Sequence, residues 1–259
     1  MSAHLVRLPT ALILLAALLC GCARSSTGLR VAGSTSLQPL AEMLAEAYQA
    51  AGGARVSVQG LGSTAGLQAV RSGVADLAAV SRRLTPQEVA EGFQAHVIAY
   101  DVLAIAVHPS NPVEGLSLAE VRRLFAGEIR DWRELGGPAG RVHLISREAG
   151  SGSREAFREL VGPIHPLAAV QSSNGVIRRI VATDPAAVGY LSLGVARTGG
   201  VKLLRVDGRL PGEPGYPLMR PLSLVTLGPP AGEARAFLAF ALSPAGQRLA
   251  AEEGMLPAR

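Results

Sequence analysis

Residues 29–50 read LRVAGSTSLQPLAEMLAEAYQA, which predicts a strand, a short polar turn and a helix in direct succession. Residues 29–32 are strand-like, and from Leu37 onward apolar residues recur at helical spacing. Pro39 agrees with a helix that starts here, because proline is tolerated in the first turn. Strand, turn and helix in this order are typical of an α/β fold whose strands are mostly parallel.

The same order recurs at two other places, each with a Gly-Ser-rich turn. The second turn, residues 60–64, lies between a predicted strand and a predicted helix, and the third, residues 147–154, follows a predicted strand at 142–145. A helix start leaves backbone N–H groups unpaired and carries partial positive charge, so it suits an anion. Three such turns, one of which contains Arg147, favour a single oxyanion held from several sides.

The middle and the end of the chain predict further strands. Apolar runs at 97–100 and 102–107 predict two separate strands, with Asp101 between them as a structural cap rather than a site residue. Residues 193–219 are rich in Gly and Pro and predict no clear element, whereas residues 221–226 again predict a strand.

The first residues predict a lipoprotein signal. Residues 11–19 form an apolar run that is too short to span a bilayer and is typical of a secretory signal. The following Leu19-Cys20-Gly21-Cys22 resembles a bacterial lipobox, which predicts a signal at 1–21, lipidation of Cys22 and a linker at 22–28. Both cysteines of the chain lie here, so a membrane-anchored, extracytoplasmic protein without disulfides is expected. An ordinary cleaved signal with incidental cysteines is the alternative.

Composition argues against several function classes. The formal net charge is +5 and aromatic residues make up 4% of the chain, with no run of five basic residues, so no nucleic-acid partner is expected. The histidines after the signal are isolated, so neither a metal nor a cofactor is expected. Ser151 could be imagined as a nucleophile, but its Gly-Ser-Gly context is not a nucleophile elbow and no His and acid pair accompanies it. An enzyme, a hydrolase included, is therefore disfavoured, and no catalytic residue is assigned.

An ordered set of motifs resembles the PstS-like substrate-binding proteins of phosphate ABC transporters, in the periplasmic-binding superfamily. The resemblance covers essentially the whole chain after the signal. The matching segments are residues 33–40, 59–63, 76–82, 104–112, 124–132, 147–153, 171–175, 189–190 and 242–247.

The resemblance implies a two-lobed Venus-flytrap fold of type II, in which helices flank a mixed, mostly parallel sheet in each lobe. Lobe I would comprise residues 29–102 and 222–259, and lobe II residues 103–221. The implied function is a monomeric, extracytoplasmic receptor that captures inorganic phosphate between the lobes and delivers it to an ABC permease. Another tetrahedral oxyanion (sulfate, molybdate or tungstate) or a phosphate sensor without transport is the alternative.

The resemblance also implies a set of site residues. The phosphate-binding residues would be Thr35, Ser36, Ser63, Arg147, Ser151 and Ser153. Further candidate contacts are Ser34, Ser81, Arg82, Gly150 and Asn174. Arg82 could instead pair with a nearby acid, and residues 172–174 could instead cap a helix.

Two positions depart from the family pattern. Enteric-type phosphate binders, one part of the family, carry an Asp where this chain has Ser81. The family also has an acid two residues after the arginine, where this chain has Ala149 beside Glu148. A carboxylate acceptor rejects fully deprotonated sulfate, whereas a hydroxyl tolerates both anions, so the choice between phosphate and sulfate is left open.

Overall fold

The computed structural model describes residues 28–258, which form a mixed α/β fold. The strands are β1 (Leu29–Gly33), β2 (Val56–Gly60), β3 (Leu77–Val80), β4 (Phe93–Val107), β5 (Gly115–Leu116), β6 (His143–Arg147), β7 (Ala169–Gln171), β8 (Ala187–Ser192), β9 (Lys202–Leu203), β10 (Arg205–Val206), β11 (Met219–Leu227) and β12 (Leu256–Pro257). The helices are α1 (Gln38–Ala50), α2 (Ser63–Arg71), α3 (Pro86–Ala90), α4 (Leu118–Ala126), α5 (Gly152–Val161), α6 (Asn174–Thr183), α7 (Leu193–Arg197), α8 (Gly232–Ala241) and α9 (Pro244–Glu252), with a 3-10 turn at Trp132–Leu135.

The main sheet has the strand order β2-β1-β3-β11-β4-β8-β6-β7. Its two outer parts are parallel: β1 pairs with β2 and β3, and β6 pairs with β7 and β8. The central strands β11 and β4 run antiparallel to each other and to their outer neighbours. The predicted two-lobed α/β fold with mixed strands is confirmed.

Strand β4 continues from one part of the sheet into the other. Its residues 93–102 pair with β11, whereas residues 103–107 pair with β8. The prediction of two separate strands here is wrong, because Asp101 does not interrupt the strand. Its carboxylate is neutralised by Arg220, which lies directly opposite on β11, so a charge can remain inside an apolar strand.

Separate apolar clusters support the lobes, two of them in the first lobe and one in the second. In the first, leucines of α1 pack against Phe237 of α8 and the strands around β1. In the second, Phe157 stacks on Tyr190 with ring centroids 4.0 Å apart, and Phe125 packs edge-on against Phe157. Because each core holds its own helices and strands in place, the turns at the junction of the lobes have rigid supports on both sides.

Two findings concern the membrane. Within residues 28–258, no helix is both long and apolar enough to span a bilayer. The predicted signal, Cys22 and most of the predicted linker lie outside the residues that the structure describes.

Candidate anion-binding site

The three Gly-Ser-rich turns meet at one place. The first connects β1 to α1, the second connects β2 to α2, and the third leads from β6 of the other lobe into α5. Ser36 and Ser153 lie with their Oγ atoms 3.0 Å apart, and the backbone N–H of Thr64 donates to the carbonyl of Gly150 at 3.1 Å. The structure therefore brings the turns of both lobes into a single site.

Arg147 extends from the end of β6 toward the first lobe, and only 1% of its surface is exposed. Its Nε and Nη2 atoms each donate to the Glu148 carboxylate at 2.8 Å. Nη1 donates to Thr35 Oγ1 at 3.3 Å, across the gap between the lobes. Nε and Nη2 are thus held by protein acceptors, and Nη1 is the nitrogen that faces the first turn, where a guanidinium N–H group suits an oxyanion.

Glu148 follows Arg147 directly in the chain and pairs with it. Its side chain is about one-third exposed and binds Arg147 in a two-pronged pair. Backbone carbonyls of Gln171 and Ser172 accept from the same guanidinium at 3.2 and 3.1 Å. Because these contacts already order the arginine, binding an anion costs less conformational entropy.

Several hydroxyls of the site accept a hydrogen bond from an N–H group. Asn174 Nδ2 donates to Ser36 Oγ at 2.7 Å, and the backbone N–H of Ser81 donates to Ser63 Oγ at 3.1 Å. Thr35 Oγ1 accepts from Arg147 in the same way. A hydroxyl whose oxygen already accepts retains its own proton for donation, so these groups suit a ligand that only accepts.

Ser34 and Ser151 stabilise the helix starts beside the site. Ser34 Oγ accepts from the backbone N–H groups of Ser36 and Leu37, at 3.2 and 3.3 Å. Ser151 is the N-cap of α5 and accepts from the N–H of Arg154 at 3.4 Å. Ser151 caps the first turn of α5, whereas Ser34 holds the turn that precedes α1, so both side chains order the backbone beside the site.

In the turn before α6, one residue caps the helix and the next one reaches into the site. Ser173 is the N-cap and accepts from the N–H of Val176 at 3.2 Å. Asn174 is buried and reaches Ser36 with its amide nitrogen, while its Oδ1 has no hydrogen-bond partner among residues 28–258. An amide oxygen that is buried and unpaired beside the site is a candidate acceptor for a ligand proton.

Ser81 and Arg82 differ in their orientation. Ser81 is buried, and its Oγ lies 3.4 Å from Ser63 Oγ, within the site. Arg82 points elsewhere, because its Nη1 and Nη2 atoms each donate to Glu88 at 2.7 Å. Of the two roles considered for Arg82, contact with the anion or pairing with a nearby acid, the structure therefore shows the second.

Glu88→Gln is expected to lower the free energy of unfolding at pH 7 by about 2 kcal/mol, because it removes the counter-charge of a buried guanidinium. Burial alone would raise the pKa of Glu88, but hydrogen bonds from Arg82 and from the N–H of Thr85 outweigh it, so the pKa is lowered. A lowered pKa in the folded state stabilises the fold above the ordinary glutamate pKa, and this contribution is lost as the pH falls through the folded value.

The difference between the parent chain and Glu88→Gln should therefore shrink below about pH 4. Urea unfolding at pH 7 and at pH 3 measures it. Glu155→Gln, in the exposed pair of Glu155 with Arg158, is the control and should change stability by less than about 0.5 kcal/mol. A Glu88→Gln effect of the same size at both pH values would contradict the ion-pair explanation.

Arg220 is a residue at the site that sequence reasoning missed. Its Nε and Nη2 donate to Asp101 Oδ2 at 3.1 and 2.7 Å, and its Nη1 donates to Ser153 Oγ at 2.7 Å. The predicted strand began one residue later, at position 221. The sequence nevertheless holds a signal for this pair, because Asp101 and Arg220 carry opposite charges and each lies in a run that is otherwise largely apolar.

The polar groups of the site are not those that hold a metal ion. Within residues 28–258, no group of three or more His, Cys, Asp or Glu side chains is placed to bind one. Its polar groups are hydroxyls, amides, helix N-termini and guanidinium groups, which together suit an oxyanion.

Comparison with known proteins shows which superfamily and which family this chain resembles. A family model described as a PBP superfamily domain matches residues 22–245. The phosphate-binding protein PstS of Bacillus subtilis is 30% identical over 250 residues, which is 90% of this chain and 82% of the relative. The PstS of Borreliella burgdorferi is 27% identical and the match covers 87% of this chain and 88% of the relative.

Solved structures agree with these relatives. A protein from Clostridium perfringens, described as a phosphate ABC transporter substrate-binding protein with bound phosphate, has a TM-score of 0.84 and 30% identity over 89% of this chain and 99% of its own. An ABC-type phosphate transport receptor from Vibrio cholerae has a TM-score of 0.73 and 33% identity, over 88% and 99%. The chain therefore belongs to the PBP superfamily and, within it, to the family of the phosphate-binding protein PstS.

Proposed function

We propose that this chain captures inorganic phosphate between its two lobes, outside the cytoplasm, and delivers it to an ABC permease. The observation that carries the proposal is the position of Arg147, which is anchored in one lobe and donates to Thr35 of the other. The relatives named as phosphate-binding proteins and the Clostridium perfringens structure with bound phosphate support it.

The donors of the site match the chemistry of phosphate. A tetrahedral oxyanion offers four oxygen atoms, and neutral hydroxyls and backbone N–H groups can replace its water shell without adding excess charge. One guanidinium offsets part of the negative charge and gives a planar contact. Hydrogen phosphate also carries a proton, for which the unpaired Oδ1 of Asn174 is our proposed acceptor in place of the family's Asp.

The two-lobed arrangement supports capture by closure. We propose that lobe I comprises residues 29–102 and 222–259, and lobe II residues 103–221. The change of partner strand along β4 between Val102 and Leu103 supports this boundary. Because the proposed ligands come from both lobes, a hinge at this place would bring them around the anion.

Calorimetry on the chain without its predicted signal tests the proposal. We expect heat of binding with phosphate and a smaller response with sulfate, molybdate and tungstate. A larger response with one of these anions would favour the alternative oxyanion, and no heat with any of them would contradict the receptor proposal. Phosphate binding without any effect on phosphate uptake in cells would favour the sensor.

We propose a binding role without catalysis, carried out by a monomer and without a cofactor. The Ser151 hydroxyl supports this, because it accepts a hydrogen bond from the N–H of Arg154 as the N-cap of α5, which is a structural role. The names of the relatives also describe binding proteins. Release of phosphate from a phosphomonoester by the purified chain would contradict the proposal.

Cys22→Ala is expected to release the protein in soluble form outside the cytoplasm, because we propose that a lipid on Cys22 is its membrane anchor. Cell fractionation followed by detection of the protein measures this. Cys20→Ala is the matched control and should remain in the membrane fraction. A Cys22→Ala protein that stays with the membrane would show that the anchor lies elsewhere.

A further inference from the structure

A fully buried ion pair lies directly behind the third turn. Arg220 of β11 and Asp101 of β4 are opposite each other on the two strands that run between the lobes, and their side chains are 1% and 0% exposed. Burying two charges costs several kcal/mol of desolvation, so a pair of this kind is weak evidence for stability. Its position beside the site suggests a different role.

The pair is oriented with its positive end toward the site. Asp101 Oδ2 accepts from Nε and Nη2 of Arg220, on the edge away from the third turn. The remaining nitrogen, Nη1, donates to Ser153 Oγ at 2.7 Å and lies 3.4 Å from the carbonyl oxygen of Ser81. Asp101 is itself held by the N–H of Leu193, which donates to Oδ1 at 3.3 Å.

The contact from Arg220 determines how Ser153 can act. Since its oxygen accepts from a guanidinium, the Ser153 hydroxyl keeps its own proton for donation, and Ser36 Oγ lies 3.0 Å away on the first lobe. Ser36 Oγ is the hydrogen-bond partner of this hydroxyl in the structure, and an anion placed beside Ser153 would replace it. A hydroxyl that accepts a charge-assisted bond is also a stronger donor, because hydrogen bonds in a chain polarise one another.

Arg220 and Arg147 also interact through their charges. Burial lowers the pKa of Arg220, Asp101 opposes this shift, and the positive charge of Arg147 adds to it. Two guanidinium groups that repel each other both gain when an anion lies close to them.

We propose that Arg220 is a positioning residue of the anion site, which fixes the Ser153 hydroxyl as a donor and adds a second positive charge behind it. The inference rests on the proposed function and extends it to a residue outside the three turns. Asp101 keeps the guanidinium in place, so the two residues act as one unit.

The test removes both charges together and measures phosphate binding by calorimetry. The variant Asp101→Asn/Arg220→Gln leaves no unpaired buried charge, and thermal unfolding shows whether it is folded. Arg220→Lys, which keeps the charge but loses the two-pronged geometry, is the second variant. The matched control is Asp76→Asn/Arg30→Gln, an exposed pair on the first lobe, which should bind phosphate as the parent chain does.

We expect the neutral pair to weaken phosphate binding about tenfold and Arg220→Lys to weaken it less. Ser153→Ala should weaken binding in the parent chain but by less than about twofold in the neutral-pair background, because the positioning effect is already lost. A purely structural role would not produce this non-additivity.

Three results would overturn the inference: a folded neutral pair with parental affinity, a full additional loss from Ser153→Ala in that background, or failure of both Arg220 variants to fold. The last would assign the pair to stability alone. Absence of phosphate binding by the parent chain would instead refute the proposed function, and this inference with it.

Discussion

Arg147→Ala is expected to weaken phosphate binding by at least about a hundredfold, since each hydrogen bond between charged groups contributes about 1.5–3 kcal/mol. Two effects add. The substitution removes Nη1, the guanidinium nitrogen that faces Thr35. It also leaves the Glu148 carboxylate without its partner, so a negative charge beside the site would repel the anion.

Titration calorimetry with phosphate measures this change. Arg147→Lys should lie between the parent chain and the alanine variant, because a lysine keeps the charge but cannot make the same planar contacts. Arg235→Ala, an exposed arginine on α8 of the first lobe, is the matched control and should not alter the affinity. Equal affinities of Arg147→Ala and Arg235→Ala would refute the role of Arg147.

Gly152→Ala is expected to weaken phosphate binding roughly thirtyfold while leaving the melting temperature nearly unchanged. A Cβ atom at position 152 would overlap the Oγ atoms of Ser63 and Ser81, which lie on the opposite lobe. Because the two groups come from different lobes, we expect the substitution to penalise closure rather than folding. The serines could rotate away only by giving up their positions as donors.

Gly175→Ala is the control for this prediction. Gly175 also lies in the first turn of a helix at the site, but a Cβ there would have only Ser173 Oγ nearby, at 3.9 Å. It should bind phosphate nearly as the parent chain does. If both variants bound equally well, close approach at Gly152 would not limit closure; if Gly152→Ala unfolded the chain, the effect would be one of stability.

Local patterns in the sequence predicted much of the fold, because strand, turn and helix follow one another with clear periodicity. Thr85 and Glu88 form the capping box that starts α3, as their spacing indicates. The pattern failed at Asp101, where a charge was interpreted as the end of a strand. Only the pairing with Arg220, which is distant in sequence, makes that charge compatible with a continuous strand.

The site could also be predicted only in part, because local sequence does not determine every side-chain contact. Turn composition predicted candidate anion-binding positions without knowledge of the fold, because a helix start suits an anion through its own backbone. The direction of each side chain depends on neighbours that are far apart in the sequence: Arg82 is drawn to Glu88, and Arg220 to Ser153. Such choices follow from packing and charge pairing in the folded chain.

A crystal structure of the chain with phosphate would test the central claim most directly. The account predicts one phosphate between the lobes, with an oxygen within about 3 Å of Arg147 Nη1 and others within hydrogen-bond distance of hydroxyls from both lobes, Ser36 and Ser63 on one and Ser153 on the other. Phosphate bound to one lobe only, or at a place that Arg147 does not contact, would contradict the account.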